Sequence, residues 1–182
     1  MNEAIYLVRH GRTQANKDNR FAGRTEEPLH PEGAREIAGV AEKAGLLDLD
    51  LICSGPSLRT RQSAEIIAES CGLDYRVETG LHDIDLPHWD GLTKEEIRVK
   101  WGPEYPTWLE SPEAFRPGQG ETLFDVRDRA AGTLQELRGS GRRVLLVTHL
   151  IVARCLLIHV GNRPLADFRT VKMGNGEIIR LC

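Results

Sequence analysis

Ala4-Ile5-Tyr6-Leu7-Val8-Arg9-His10-Gly11 and Val144-Leu145-Leu146-Val147-Thr148-His149 are the two stretches on which the fold turns. Each is a short apolar run rich in Val, Leu and Ile, without the alternation of a half-exposed strand, and so reads as a strand buried on both faces. Each ends in a histidine. In open α/β sheets the functional crevice lies beyond the C-terminal ends of the strands, which makes His10 and His149 a candidate pair from distant segments.

Between them strand and helix signals alternate. Pro31 suits a first helical turn, and Ile37, Val40, Ala41 and Ala44 follow at helical spacing up to Gly45. Leu49–Cys53 reads as a second strand. A helix carrying Ala64, Ile67, Ala68 and Cys71 then runs to Gly72, and Tyr75–Val77 reads as a third strand. A later helix has Leu123, Val126, Ala130, Leu134 and Leu137 on one face. The chain is expected to close with strands Phe168–Lys172 and Glu177–Leu181, joined by a turn at Asn175-Gly176. This order implies an α/β fold, a three-layer α/β/α sandwich with a mostly parallel central sheet. Residues 1–182 form one domain, without repeats or a linker.

The stretch 81–120 breaks the rhythm. It holds all three tryptophans and five of the nine prolines. It reads either as an insertion forming a wall or lid of the site, or as a satellite hydrophobic cluster.

Composition excludes several classes. The chain is 40% hydrophobic and 28% charged, as in soluble globular domains. The apolar stretch 150–160 is too short for a membrane span and contains Arg154 and His159. A net charge of −3 speaks against nucleic acid as a partner. Cys53, Cys71, Cys155 and Cys182 show no CxxC spacing and read as reduced structural thiols. With no signal-peptide pattern ahead of the first strand, the expected location is cytoplasmic. No ligand cluster with metal spacing occurs. The sequence carries no signature of oligomeric state.

Gly55-Pro56-Ser57-Leu58-Arg59 puts an arginine at the start of a helix after a strand, where an anion finds both a guanidinium fork and free N–H groups. Together, LVRHGRTQAN (7–16), SGPSLRTRQSAE (54–65), LPHWDGLT (86–93), GQGETLFDVRDR (118–129) and VLLVTHLIVARCLL (144–157) resemble the histidine phosphatase superfamily. The fold implied is phosphoglycerate-mutase-like, in the branch of short bacterial phosphatases. The resemblance covers nearly the whole chain.

That resemblance implies a phosphomonoesterase acting on a small phosphorylated metabolite, without cofactor or metal. His10 matches the nucleophile, which becomes a phosphohistidine. Arg9, Asn16, Arg59 and His149 match the phosphate pocket, and the amide of Leu150 is placed to donate. The family's acid glutamate corresponds to Asp83, one methylene shorter, with Asp85 or His88 as substitutes. Arg12 stands where the family commonly has an acidic or amide residue. It reads either as a contact to a second acidic group on the substrate or as an ion pair with Glu26 or Glu27. Glu121 matches a position near the site and also suits a helix start. Arg20, Arg24 and Arg61 read as solvated or peripheral. Two alternatives remain: a phosphoglycerate mutase, and a non-catalytic phosphate-binding module. Family mutases are longer and carry a glutamate-arginine-histidine-tyrosine segment where this chain has Asp83-Ile84-Asp85-Leu86.

Overall fold

The computed structural model describes residues 3–182. Its elements are β1 (Ala4–Arg9), α1 (Gln14–Lys17), α2 (Pro31–Ala44), β2 (Leu51–Ser54), α3 (Leu58–Cys71) and β3 (Tyr75–Val77), then α4 (Lys94–Lys100), α5 (Glu104–Glu110), α6 (Leu123–Leu137), β4 (Arg143–Thr148), α7 (Leu150–Val160) and β5 (Ile178–Arg180). Short 3-10 turns occupy Thr79–Leu81 and Leu165–Arg169. The strands lie in the order β3-β2-β4-β1-β5. All neighbours are parallel except β5, which runs antiparallel to β1 along the edge.

The apolar runs divide by parity, as period-2 strands must. Ile5, Leu7, Cys53, Val144 and Leu146 pack towards α6, α7 and the aromatic cluster of residues 81–120. Val8, Ile52, Leu145 and Val147 pack on Ile37, Val40 and Ala41 of α2 and on Ala64, Ile67 and Ala68 of α3. Both faces are covered, which is why the strands read as unbroken apolar runs.

Register brings the strand ends together. Arg9 pairs with Thr148, and Ser54 with Val147. The ladders continue one step: His10 N–H donates to Thr148 C=O at 2.9 Å, and Gly55 N–H to Val147 C=O at 2.9 Å. His10, Gly55 and His149 therefore leave the sheet side by side.

The chain after His10 needs glycine on both sides of a close backbone approach. A Cβ at Gly11 would sit 2.4 Å from Gly33 O, and one at Gly33 would sit 2.1 Å from Arg12 O. Gly33→Ala is expected to cost about 1–3 kcal/mol by forcing α2 away from this loop. Urea unfolding checks this, and a midpoint unchanged from wild type would show that the contact relaxes freely.

The segment 81–120 joins the main core. Trp89 is fully buried, and Tyr105, Trp108 and Phe115 nearly so. Its rings meet in edge and tilted contacts, Trp89 with Phe115 at 5.0 Å and with Trp108 at 5.8 Å. The closing segment differs from the expectation. Residues 168–172 form no strand: the 3-10 turn Leu165–Arg169 buries Phe168 against Trp108, so this stretch docks α7 onto the aromatic cluster. Only Ile178–Arg180 joins the sheet, on β1. Among the described residues no helix is long and apolar enough to cross a membrane.

Candidate active site

The site lies where β1, β2 and β4 end. At its base is His10, backed by His149, which is fully buried and, against the sequence expectation, does not line the pocket; the ring centroids lie 5.2 Å apart at an interplanar angle of 61°. His10 is 4% exposed and His149 not at all. His10 Nδ1 lies 2.7 Å from Gly11 C=O. A carbonyl only accepts, so Nδ1 carries the proton, and in the neutral ring Nε2 keeps its lone pair. Burial, reinforced by Arg59 and Arg9, pushes the His10 pKa well below the usual histidine range. The ring is thus neutral at physiological pH. Burial and Arg59 act the same way on His149.

Arg59, the second residue of α3, is 1% exposed. Its guanidinium donates to Thr25 C=O at 2.8 Å and to Gly23 C=O at 2.7 Å, pinning the loop that follows α1. Its Nη2 also reaches Asp83 Oδ2 at 3.3 Å. The same Oδ2 lies 3.4 Å from His149 Nδ1, close but not aligned as a hydrogen bond. Burial raises the Asp83 pKa against the opposing pull of Arg59 and the Ile84 N–H. A carboxyl with a raised pKa beside a neutral imidazole suits acid catalysis.

Asn16 is fixed by α1. Its Oδ1 accepts from Thr13 N–H at 3.2 Å and from Asn175 Nδ2 at 3.4 Å, which leaves its own amide donors for the pocket it lines. Leu150 lines the same pocket as the first residue of α7, where N–H groups have no partner within the helix. Arg9 is mostly buried, and its pKa is lowered to about 10 by that burial. The resulting pocket of about 210 Å³ is lined by Arg9, His10, Asn16, Arg59, Asp83 and Leu150 together with the rings of Phe21, Trp108 and Phe168.

Other expected residues fall elsewhere. Asp85 pairs with Arg24 at 3.4 Å, and His88 stacks on Trp101; of the three candidate acids, Asp83 alone lines the pocket. Arg12 lies in a neighbouring polar pocket. Its partners are Glu36 at 3.3 Å and Glu32 at 3.7 Å, not Glu26 or Glu27. The reason is local: Gly33 brings the Arg12 backbone against the start of α2, where Glu32 stands in the first turn and Glu36 in the second. Glu26 instead pairs with Arg61, and Glu27 accepts from Ala15 N–H. Arg20 is solvent-exposed, as expected, and also contributes to the pocket lining. Among the described residues no group of three or more His, Cys, Asp or Glu is placed to hold a metal ion.

Arg129, on α6, is the residue that the sequence reading missed. It donates to Gly80, His82 and Asp83 carbonyls at 2.8, 2.6 and 3.0 Å. It also forms a two-point pair with Glu121, at 2.8 and 3.0 Å. Glu121 in turn accepts from Asp85 N–H at 3.0 Å. Glu121 thus acts through this brace and does not line the pocket. The signal was present, since Arg129 closes the block GQGETLFDVRDR. Its partners, however, are carbonyls, which carry no residue-type signature. Arg129→Met is expected to cut kcat about 10- to 100-fold, because a misplacement of about 1 Å costs that much. The loss should be large for alkyl phosphates and small for aryl phosphates, whose leaving groups need no proton. Equal losses on both would show general damage, not displacement of Asp83.

A parallel sheet with buried histidines and guanidiniums at its strand ends places the protein among the phosphate-handling α/β enzymes. More specifically, the chain belongs to the histidine phosphatase superfamily (branch 1), whose model matches residues 5–182. It is 33% identical over 184 residues to the probable phosphoglycerate mutase GpmB of Escherichia coli (strain K12 / DH10B), covering 97% of this chain and 83% of that protein. Its structure resembles Bacillus stearothermophilus YhfR with a TM-score of 0.93 at 27% identity, over 97% of this chain and 89% of that one. It also resembles the mycobacterial glucosyl-3-phosphoglycerate phosphatase Rv2419c, solved with VO3 (TM-score 0.88, 27% identity, 97% and 90% covered). As a member of this family it is a phosphatase-type enzyme.

Proposed function

We propose that the protein hydrolyses the phosphomonoester of a small metabolite in two in-line steps through a phosphohistidine at His10. The observation that carries this reading is the locked tautomer: Nδ1–H held by Gly11 C=O at 2.7 Å, with a free Nε2 lone pair near an Asp83 carboxyl whose pKa burial raises. In the first step Nε2 attacks phosphorus. The P–O bond to the alcohol breaks, and the Asp83 proton goes to the leaving oxygen. In the second step Asp83 carboxylate takes a proton from water, whose oxygen attacks phosphorus as the P–N bond breaks. Arg9, Arg59, the Asn16 amide and the Leu150 N–H hold the phosphoryl oxygens, so that catalysis rests on position and charge. A bound phosphate dianion raises the Asp83 pKa further, which favours the acid role. The reading includes metal-independent turnover in the cytoplasm.

The naming of the GpmB relatives supports a second reading, a mutase that returns the phosphoryl group to another hydroxyl. Both are tested by one panel of phosphomonoesters incubated with chelator, with phosphate release measured and the protein quenched for acid-labile phosphate. Release with label on His10 is the expected result. Isomerised 3-phosphoglycerate without net release would replace hydrolysis by the mutase. Neither release nor label would leave a phosphate-binding module.

A further inference from the structure

The walls of the site pocket carry Arg9, Arg20, Arg59, Lys94, Arg154 and Arg169 against a single carboxylate, Asp83. Some of this charge is answered. Arg20 pairs with Glu96 at 3.5 Å, and Arg59 meets Asp83 at 3.3 Å. A phosphoryl group held at His10 engages Arg9 and Arg59. Of the rest, Lys94 is exposed to solvent, which leaves Arg154 and Arg169. Both are half-buried, and among the described residues neither makes an ion pair.

What they do contact is backbone and rings. Arg154 Nε donates to Val171 C=O at 2.8 Å, and Arg169 Nη2 to Trp108 C=O. Their guanidinium carbons lie 5.1 and 5.7 Å from the Phe168 ring centre, and Arg169 lies 5.3 Å from that of Trp108. The remaining donors, including the buried Nε of Arg169, have no protein acceptor. Each guanidinium is positioned by an aromatic ring and one backbone carbonyl. Two like charges in partial burial repel each other and lose hydration, a cost that an anion between them removes.

We infer that Arg154 and Arg169 form a second anion subsite, selecting phosphomonoesters whose leaving group carries a further carboxylate or phosphate. The guanidinium fork fits both groups. Phe168 and Trp108 cover the carbon chain between the two anionic ends. This inference rests on the phosphomonoesterase reading for the orientation of the ligand, with its phosphoryl end at His10.

The test compares an ω-phosphorylated hydroxy acid with its methyl ester, and a diol bisphosphate with its monophosphate. Each pair is assayed with wild type, Arg154→Met and Arg169→Met, where methionine keeps an apolar stem on the rings. Wild type should prefer the doubly anionic member of a pair by about tenfold or more in kcat/KM, through KM. Each variant should bring that ratio towards one while handling the singly anionic member within about twofold of wild type. Preference in the acid pair alone assigns a carboxylate, and in the bisphosphate pair alone a second phosphate. A wild-type ratio near one, or equal losses on both members, would overturn the subsite in favour of a packing role. If wild type turns over no ester, the phosphatase reading fails separately. The same ratios, read as dissociation constants by titration, still decide the subsite.

Discussion

Replacement of His10 by Ala is expected to lower phosphate release by about 10⁴-fold or more, the scale on which removing a covalent nucleophile acts. In the proposed reaction the ring is the group that phosphorus meets at the end of β1, and no other described side chain that lines the pocket is an imidazole. His149 is 5.2 Å away, ring centre to ring centre, but fully buried and absent from the pocket lining. The substitution removes the bond to Gly11 C=O and leaves a small cavity, at a cost of about 1–3 kcal/mol that a domain of this size tolerates. Far-UV circular dichroism and urea unfolding verify the fold, and the quenched protein should carry no acid-labile phosphate. Residual release within tenfold of wild type would remove His10 from the chemistry.

The second large effect belongs to Asp83→Asn. General acid catalysis contributes about 10²- to 10⁴-fold, and the loss should follow the leaving group. Alkyl phosphates, whose alkoxide needs a proton, should lose the most. Aryl phosphates with acidic phenols should lose little in the first step. The pH profile supplies an independent readout. In the proposed mechanism the Asp83 carboxyl acts in its protonated form, and burial raises its pKa, so wild-type kcat/KM should fall as pH rises through that pKa. His10 acts in its neutral form and its pKa is well below 6.5, so the acid limb should lie on the far side of neutrality. Asp83→Asn should abolish the alkaline limb and keep the acid one. A profile that keeps both limbs would assign the proton to another group.

How much of this was legible depended on what each residue contacts. The parity of β1 and β4, the helix faces and the strand-end histidines were readable, because burial on two faces imposes a local pattern. Asp83 was readable as a candidate through its place in the block before Trp89, and three-dimensional placement separates it from Asp85 and His88. Arg129 stood in a legible block without a legible role, and Arg154 and Arg169 were not readable. Each is defined by distant carbonyls or rings, Gly80 and Asp83 for the first, Val171 and Trp108 for the others, and arginine at those positions looks like any surface cation. The strand expected over 168–172 failed for a related reason. Phe168 and Val171 alternate poorly, and tertiary docking of Phe168 outweighs β propensity. The Arg12 pairing failed because the contact depends on two glycine backbones meeting, which residue spacing does not encode.

The parallel pairing of Arg9 with Thr148 has a consequence for how the molecule comes into being on the ribosome. The strand that bears His10 is made first, yet both of its neighbours in the sheet, β4 and β5, emerge last. Until residues 143–148 arrive, β1 has no partner on either side. The entropy of closing so long a chain is lost before any ladder bond returns it, which slows such pairings. If His10 is the nucleophile proposed above, the strand that presents it stays without a sheet partner until β4 and β5 have been made, so its reactivity should begin only when they lock β1 in place.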